Sequence, residues 1–196
     1  MPGSRRTGVA LHYSPGPSRE VRHSLDLHRL GCVERILVSS CLVGRPVRYD
    51  GAAKPVGGEL VERWRTEGRL VPFCPEVSGG LSVPRPPAEI VGGDGHAVLD
   101  GTARVRTDGG ADVTAEFLRG ARQALDAARR TGARIALLKE GSPSCGSNRV
   151  YDGTFTGTSI PGEGVTTALL EREGIRVFSE NDLAAVASLL ETLESG

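Results

Sequence analysis

Three cysteines share one local setting. "RILVSSC" ends at Cys41, "RLVPFC" at Cys74 and "ARIALLKEGSPSC" at Cys145. Each follows an apolar run, and each is flanked by Ser, Pro or Gly. Such small or rigid residues let backbone N–H groups approach a bound anion or an inorganic sulfide. Thiolates so placed are candidate metal ligands. A structural zinc site is closed by a fourth Cys or His, and His96 is the obvious candidate, in a segment with no clear path to the thiols. An iron–sulfur cluster is normally held by four cysteines; with three, one iron is left open to take substrate and act as a Lewis acid. The remaining reading is three unconnected core thiols, since free Cys is among the most buried residue types.

Polar groups near the thiols extend the chemistry. Glu76 lies two residues after Cys74, where it can act as general base or acid, or stand as an ordinary surface carboxylate. Ser142 and Ser144 can donate to a substrate or cap the turn that follows. Arg48 can hold an anionic group bidentately or pair with Asp50, and with Lys54 it leaves room for a phosphate on the substrate. The Gly-rich "PGEGVTT" at 161–167 offers N–H groups ahead of a helix, a weak pattern on its own.

Elements that must position these residues alternate from Arg35 onward. Short apolar runs at 35–40, 69–73, 133–138 and 175–178 read as strands buried on both faces. Helices are expected at 56–68, stopping at Gly68, at 112–130, at 163–173 and from Ser179 onward. In the long helix Val113, Phe117, Leu118, Ala121, Ala124, Leu125 and Ala128 share one face. Ser179 with Asp182 resembles a capping box with a shorter acid. Between 84 and 108, "AEIVGG", "HAVLD" and "ARVRTD" read as three β segments, with Asp100-Gly101 a hairpin turn. The fold class is α/β, a mainly parallel, Rossmann-like sheet flanked by helices, with a small antiparallel β excursion around 84–108. Parallel strands gather the loops at their carboxyl ends on one edge, where open α/β sheets bind ligands. All three cysteines fall on that edge.

The 196 residues suit one domain. Residues 1–33 mix Arg, Pro, Gly and Ser without periodicity and are expected to form a flexible arm ahead of a single domain at 34–196. Cys32 belongs to the arm and is left out of the site. With 24 basic residues against 24 acidic, no basic field argues for a stable nucleic-acid partner. No apolar run is long enough to span a membrane, and no secretory signal opens the chain, so a cytoplasmic location is expected. Reduced thiols there do not build a disulfide framework, and no C-x-x-C pair is present.

"ILVSSCLVGRPVRYDG", "FCPEVSGGLSVPRPPAEI", "LLKEGSPSCG" and "GEGVTTALLEREGIRVFSE" resemble, in this order, a bacterial domain-of-unknown-function family. Its characterised members are thiouracil desulfidases and related enzymes acting on thiolated uracil compounds. The resemblance covers about 35–190. It implies a [4Fe-4S] cluster held by Cys41, Cys74 and Cys145, whose open iron takes the sulfur of a small thiolated pyrimidine without net redox chemistry. It also implies Glu76 as the catalytic carboxylate and Ser142 as the catalytic serine. A soft thiocarbonyl sulfur suits a thiophilic iron. The alternative is a non-catalytic metal, iron–sulfur or sulfide-binding protein, and Glu76 discriminates between the two.

Overall fold

Ile36–Ser39 (β1) and Ile135–Leu138 (β5) read ILVS and IALL, and every position in both is buried. Apolar side chains on both faces belong in the middle of a covered sheet. The two strands pair with each other in parallel. Leu70–Phe73 (β2) and Arg176–Ser179 (β8) close the edges, so the order is β2-β1-β5-β8 and all four run the same way. Pro72 is tolerated in β2 because that strand pairs on one side only. The computed structural model describes Gly3 and residues 33–195. The arm expected over 1–33 lies outside the described residues apart from Gly3 and Val33, as does Cys32.

Side chains alternate across the two faces of the sheet. Ile36, Val38, Ile135 and Leu137 meet Val61 and Trp64 of the helix Glu59–Thr66 (α1), together with Val186 and Leu190 of Leu183–Ser195 (α6). Leu37, Ala136 and Leu138 meet Ala124, Leu125 and Ala128 of Thr114–Thr131 (α4), with Leu170 of Val165–Arg172 (α5). Helices therefore cover both faces, as the alternating pattern predicts. Among the described residues no helix is long and apolar enough to cross a membrane.

A short helix, Pro75–Ser78 (α2), follows β2 directly and is pressed onto α4. A Cβ on Gly120 would lie 2.1 Å from the Pro75 carbonyl oxygen, so only glycine permits this approach. The contact seats Glu76, the second residue of α2.

The 84–108 region departs from the sequence expectation. Ala88–Val91 (β3) and Arg104–Thr107 (β4) do pair antiparallel, but the middle segment is a helix, Gly95–Leu99 (α3). Asp94 caps it, its Oδ1 accepting the His96 N–H at 3.0 Å and the Ala97 N–H at 3.2 Å. Val98 then packs beside Ile90, Val105, Phe117 and Val150. A second antiparallel pair, Arg149–Tyr151 (β6) with Ser159–Pro161 (β7), was not expected; three-residue strands carry too little alternation to read. The Ser179–Asp182 motif forms as a turn: Asp182 accepts from the Ser179 N–H and hydroxyl, and α6 begins at Leu183.

Candidate active site

Each cysteine lies just beyond the carboxyl end of a neighbouring strand in the order β2-β1-β5. Cys41 occupies a 3₁₀ turn, Ser40–Val43, that continues from β1. Cys74 separates β2 from α2. Cys145 lies in the loop after β5, where Ser39 Oγ accepts the Lys139 N–H at 3.0 Å and fastens the ends of β1 and β5 together. All three are free thiols, Cys41 and Cys145 buried and Cys74 partly so. All three line one cavity of about 620 Å³.

The electrostatics of the thiols are collective. Burial pushes the Cys41 thiol up to about 11, and the nearby Cys74 adds to this while Lys139 and Arg48 oppose it. Burial also raises Cys74, with Glu76 adding and N–H groups of the Val77 and Glu76 backbone and Arg85 opposing. Cys145 is pushed furthest, by burial first, then by Glu76, Cys74 and Cys41. Three thiolates in one low-dielectric pocket repel one another unless a positive centre sits among them. Among the described residues, however, no three His, Cys, Asp or Glu side chains are arranged to hold a single metal ion. Ligands of one ion converge on a point, whereas ligands of a multi-iron cluster bind different irons and stand further apart. The thiol set and the roomy cavity fit a cluster. They do not fit closed zinc, and His96 does not join them: its Nε2 lies 3.1 Å from Glu163 Oε2.

Glu76 and Ser142 meet at the same cavity. Ser142 Oγ donates to Glu76 Oε1 at 3.2 Å, and Arg85 holds Oε2 through Nε at 2.8 Å and Nη2 at 2.7 Å. Ser142 Oγ in turn accepts the N–H groups of Ser144, at 3.1 Å, and Cys145, at 3.2 Å. With its lone pairs occupied, the hydroxyl has its proton directed at the carboxylate. The chain of contacts thus links the backbone of Cys145 through the Ser142 hydroxyl to the Glu76 carboxylate.

Other expected residues fall differently. Arg48 lines the cavity and lies 3.5 Å from Asp50, its guanidinium 5.8 Å from the Tyr49 ring centre. Lys54 also lines the cavity. Ser144 is wholly buried, with Oγ 2.9 Å from Thr166 Oγ1, so its hydroxyl anchors the loop to α5, and unlike Ser142 it is not part of the cavity lining. The Gly-rich 161–167 stretch serves the same junction: a Cβ on Gly164 would lie 2.4 Å from the Ser144 carbonyl carbon.

Two residues were missed. Arg85 stands in "SVPRPPAEI", a Pro-rich stretch without periodicity; its side chain is only 6% exposed and also donates to the Val47 and Ser82 carbonyls. Glu140 accepts from the N–H groups of Gly141, Asn148 and Arg149, from Asn148 Nδ2 and from Ser147 Oγ, at 2.8 to 3.3 Å. Burial raises its carboxyl, but these donors outweigh that and hold it below the ordinary carboxylate value. The only signal for Glu140 was a Lys-Glu pair placed directly after a fully apolar strand.

Comparison with known proteins shows the family of the chain. A family model described as 2-thiouracil desulfurase matches residues 36–182. The chain is 49% identical over 148 residues to the uncharacterized protein YbbK of Bacillus subtilis (strain 168), a match covering 76% of this chain and 97% of that protein. A solved structure described as the [4Fe-4S]-dependent thiouracil desulfidase TudS superposes with a TM-score of 0.74 at 53% identity, covering 81% of this chain and 99% of that one. The matched span takes in β1 through β8 and all three cysteines, together with Glu76, Arg85, Glu140 and Ser142. The chain belongs to the 2-thiouracil desulfurase family.

Proposed function

We propose that this protein removes sulfur from thiolated uracil compounds at a [4Fe-4S] cluster held by Cys41, Cys74 and Cys145, with Glu76 as general base. The observation that carries the reading is the convergence of three thiols and the Glu76–Ser142 pair on one cavity. When bound, the cluster supplies a thiophilic Lewis acid for the thiocarbonyl sulfur.

The residues of the chain supply the proton chemistry. Arg85 occupies one carboxylate oxygen of Glu76 and leaves the other directed toward Ser142. Glu76 takes a proton from water as its oxygen adds to the thiocarbonyl carbon, and Ser142 orients the ring or passes a proton. The C–S bond then breaks, the carbon keeps the oxygen as a carbonyl, and sulfur leaves as sulfide carrying the protons. One water is consumed and no electrons are exchanged. A cytoplasmic setting suits three free thiols, because disulfides do not persist there.

The test is anaerobic cluster reconstitution, followed by ultraviolet monitoring of 2-thiouracil, 4-thiouridine and its monophosphate and by assay of released sulfide. The wild-type protein turns over at least one of these. Glu76→Gln keeps the brown cluster and loses about 10² to 10⁴ in rate. Full activity in Glu76→Gln removes the carboxylate from the mechanism, and a loaded wild-type protein that releases no sulfide is a binding protein.

A further inference from the structure

Among the described residues, Phe155 is the one non-glycine residue with positive φ, at 58°. That backbone conformation costs energy for any residue with a Cβ, and a bulky aromatic rarely adopts it. Phe155 lines the same cavity as the three cysteines and the residue is 37% exposed, where an apolar residue ordinarily seeks cover.

The conformation is enforced from beneath. Glu89 of β3 is buried, and its Oε2 accepts the N–H groups of both Gly153 and Phe155 at 3.0 Å. Gly153 is pressed so closely on β3 that a Cβ there would lie 2.6 Å from the Ile90 carbonyl oxygen. The Asp152 carboxylate accepts the Thr154 N–H at 3.0 Å, and the Asp152 N–H donates to the Thr158 carbonyl at 3.0 Å, closing the loop between β6 and β7. A buried carboxylate used to hold two backbone N–H groups, and a strained aromatic held at a cavity wall, together describe a preorganised contact surface.

We infer that Phe155, fixed by the Glu89 carboxylate, is the face on which the pyrimidine ring stacks while its thiocarbonyl is presented to the cysteine end of the cavity. The inference rests on the desulfidase reading for the class of ligand. A pyrimidine-thione is flat and π-rich, and base–aromatic stacking is a recognised source of affinity that tolerates different ring substituents. Phe155 is in this role a substrate-binding residue and Glu89 a positioning residue.

The experiment measures binding of 2-thiouracil by calorimetry to cluster-loaded Glu76→Gln protein, with Phe155 intact and with Phe155→Leu. Leucine keeps an apolar side chain but removes the π face, and the expected result is binding about tenfold weaker. In the otherwise wild-type enzyme the same change raises KM by a similar factor and alters kcat less. Phe155→Trp retains affinity, and its indole fluorescence changes saturably as 2-thiouracil is added, which the fully buried Trp64 does not. Affinity in Phe155→Leu within twofold of the parent, or a folded Phe155→Trp protein whose emission ignores the ligand, overturns the inference, as does absence of binding with Phe155 intact. Should Phe155→Leu not fold, the tryptophan variant decides. Binding that depends on Phe155 without sulfide release by the wild-type protein sinks the desulfidase reading while the stacking face stands.

Discussion

Both oxygens of the Glu76 carboxylate are engaged, one by a guanidinium and one by a hydroxyl whose own lone pairs are filled by backbone N–H groups. The thiols beside it are the opposite case, groups whose charged form burial opposes. Cys41 is held at about 11, against 9.0 for an ordinary thiol, so its thiolate fraction near pH 8 is about a hundredfold below normal. Cluster-free protein is therefore expected to react slowly with iodoacetamide at pH 8 and faster as pH rises toward 11, as mass spectrometry of the labelled peptides can show. Stability follows with a definite sign. Between 9 and 11 the unfolded chain has released the Cys41 proton and the folded chain still holds it, so cluster-free protein loses stability as pH rises through that window. The slope is about 1.4 kcal/mol per pH unit for this thiol. With these thiols as the proposed ligands, cluster assembly would release their protons, so loading is expected to be favoured by raising pH.

At the scale of elements, two contacts shape the site without touching its chemistry. The loop after β5 wraps Glu140, which gathers N–H donors from three residues and two side-chain donors. In Glu140→Gln one oxygen becomes an NH₂ that faces donors, leaving partners unmet at a cost of about 1 to 3 kcal/mol. The expected outcome is a lower Tm together with reduced iron content after reconstitution, since Ser142 and Cys145 ride on this loop. The α2–α4 contact is the second. Gly120→Ala puts a methyl against the Pro75 carbonyl, a backbone atom that cannot rotate away. We expect about 2 kcal/mol of destabilisation in urea unfolding, with activity loss exceeding the loss of folded protein, because α2 carries Glu76.

For the whole molecule, the sheet edge acts as a single platform: the turn or loop after each of β2, β1 and β5 carries one of the thiols. A cluster on these thiols, as proposed, would add a covalent tie between three strand ends that the sheet, the Ser39–Lys139 bond and the Ser142–Glu76 bond already join. Cluster-loaded protein is expected to unfold at a higher temperature than cluster-free protein in anaerobic calorimetry, and chelation of the iron reverses the gain, because only the folded chain brings the three ligands together. An equal Tm in the two forms counts against a shared ligand set.

Much of this was legible in sequence. Four apolar runs alternating with amphipathic stretches specify a parallel sheet covered on both faces, since a strand buried twice has no polar face to show. The theme of an apolar run followed by a cysteine, with right-handed crossovers, is enough to place Cys41, Cys74 and Cys145 at one edge. What local pattern could not carry is partnership across the chain. Arg85 on Glu76, Ser142 on Glu76 and Glu89 beneath Phe155 join segments 9, 66 and 66 residues apart. Periodicity reports only which face of an element is apolar, while these contacts depend on where hairpins and loops come to rest on the sheet. The α3 helix was misread for a related reason: five residues are too few for a period, and the Asp94 cap that decides between helix and strand is visible only once its N–H partners are in place. Sequence determined the scaffold and the thiols; tertiary structure decided which carboxylate meets the Ser142 hydroxyl, which holds a loop and which aromatic residue meets the cavity, because each of those placements belongs to a pair of distant groups and to neither alone.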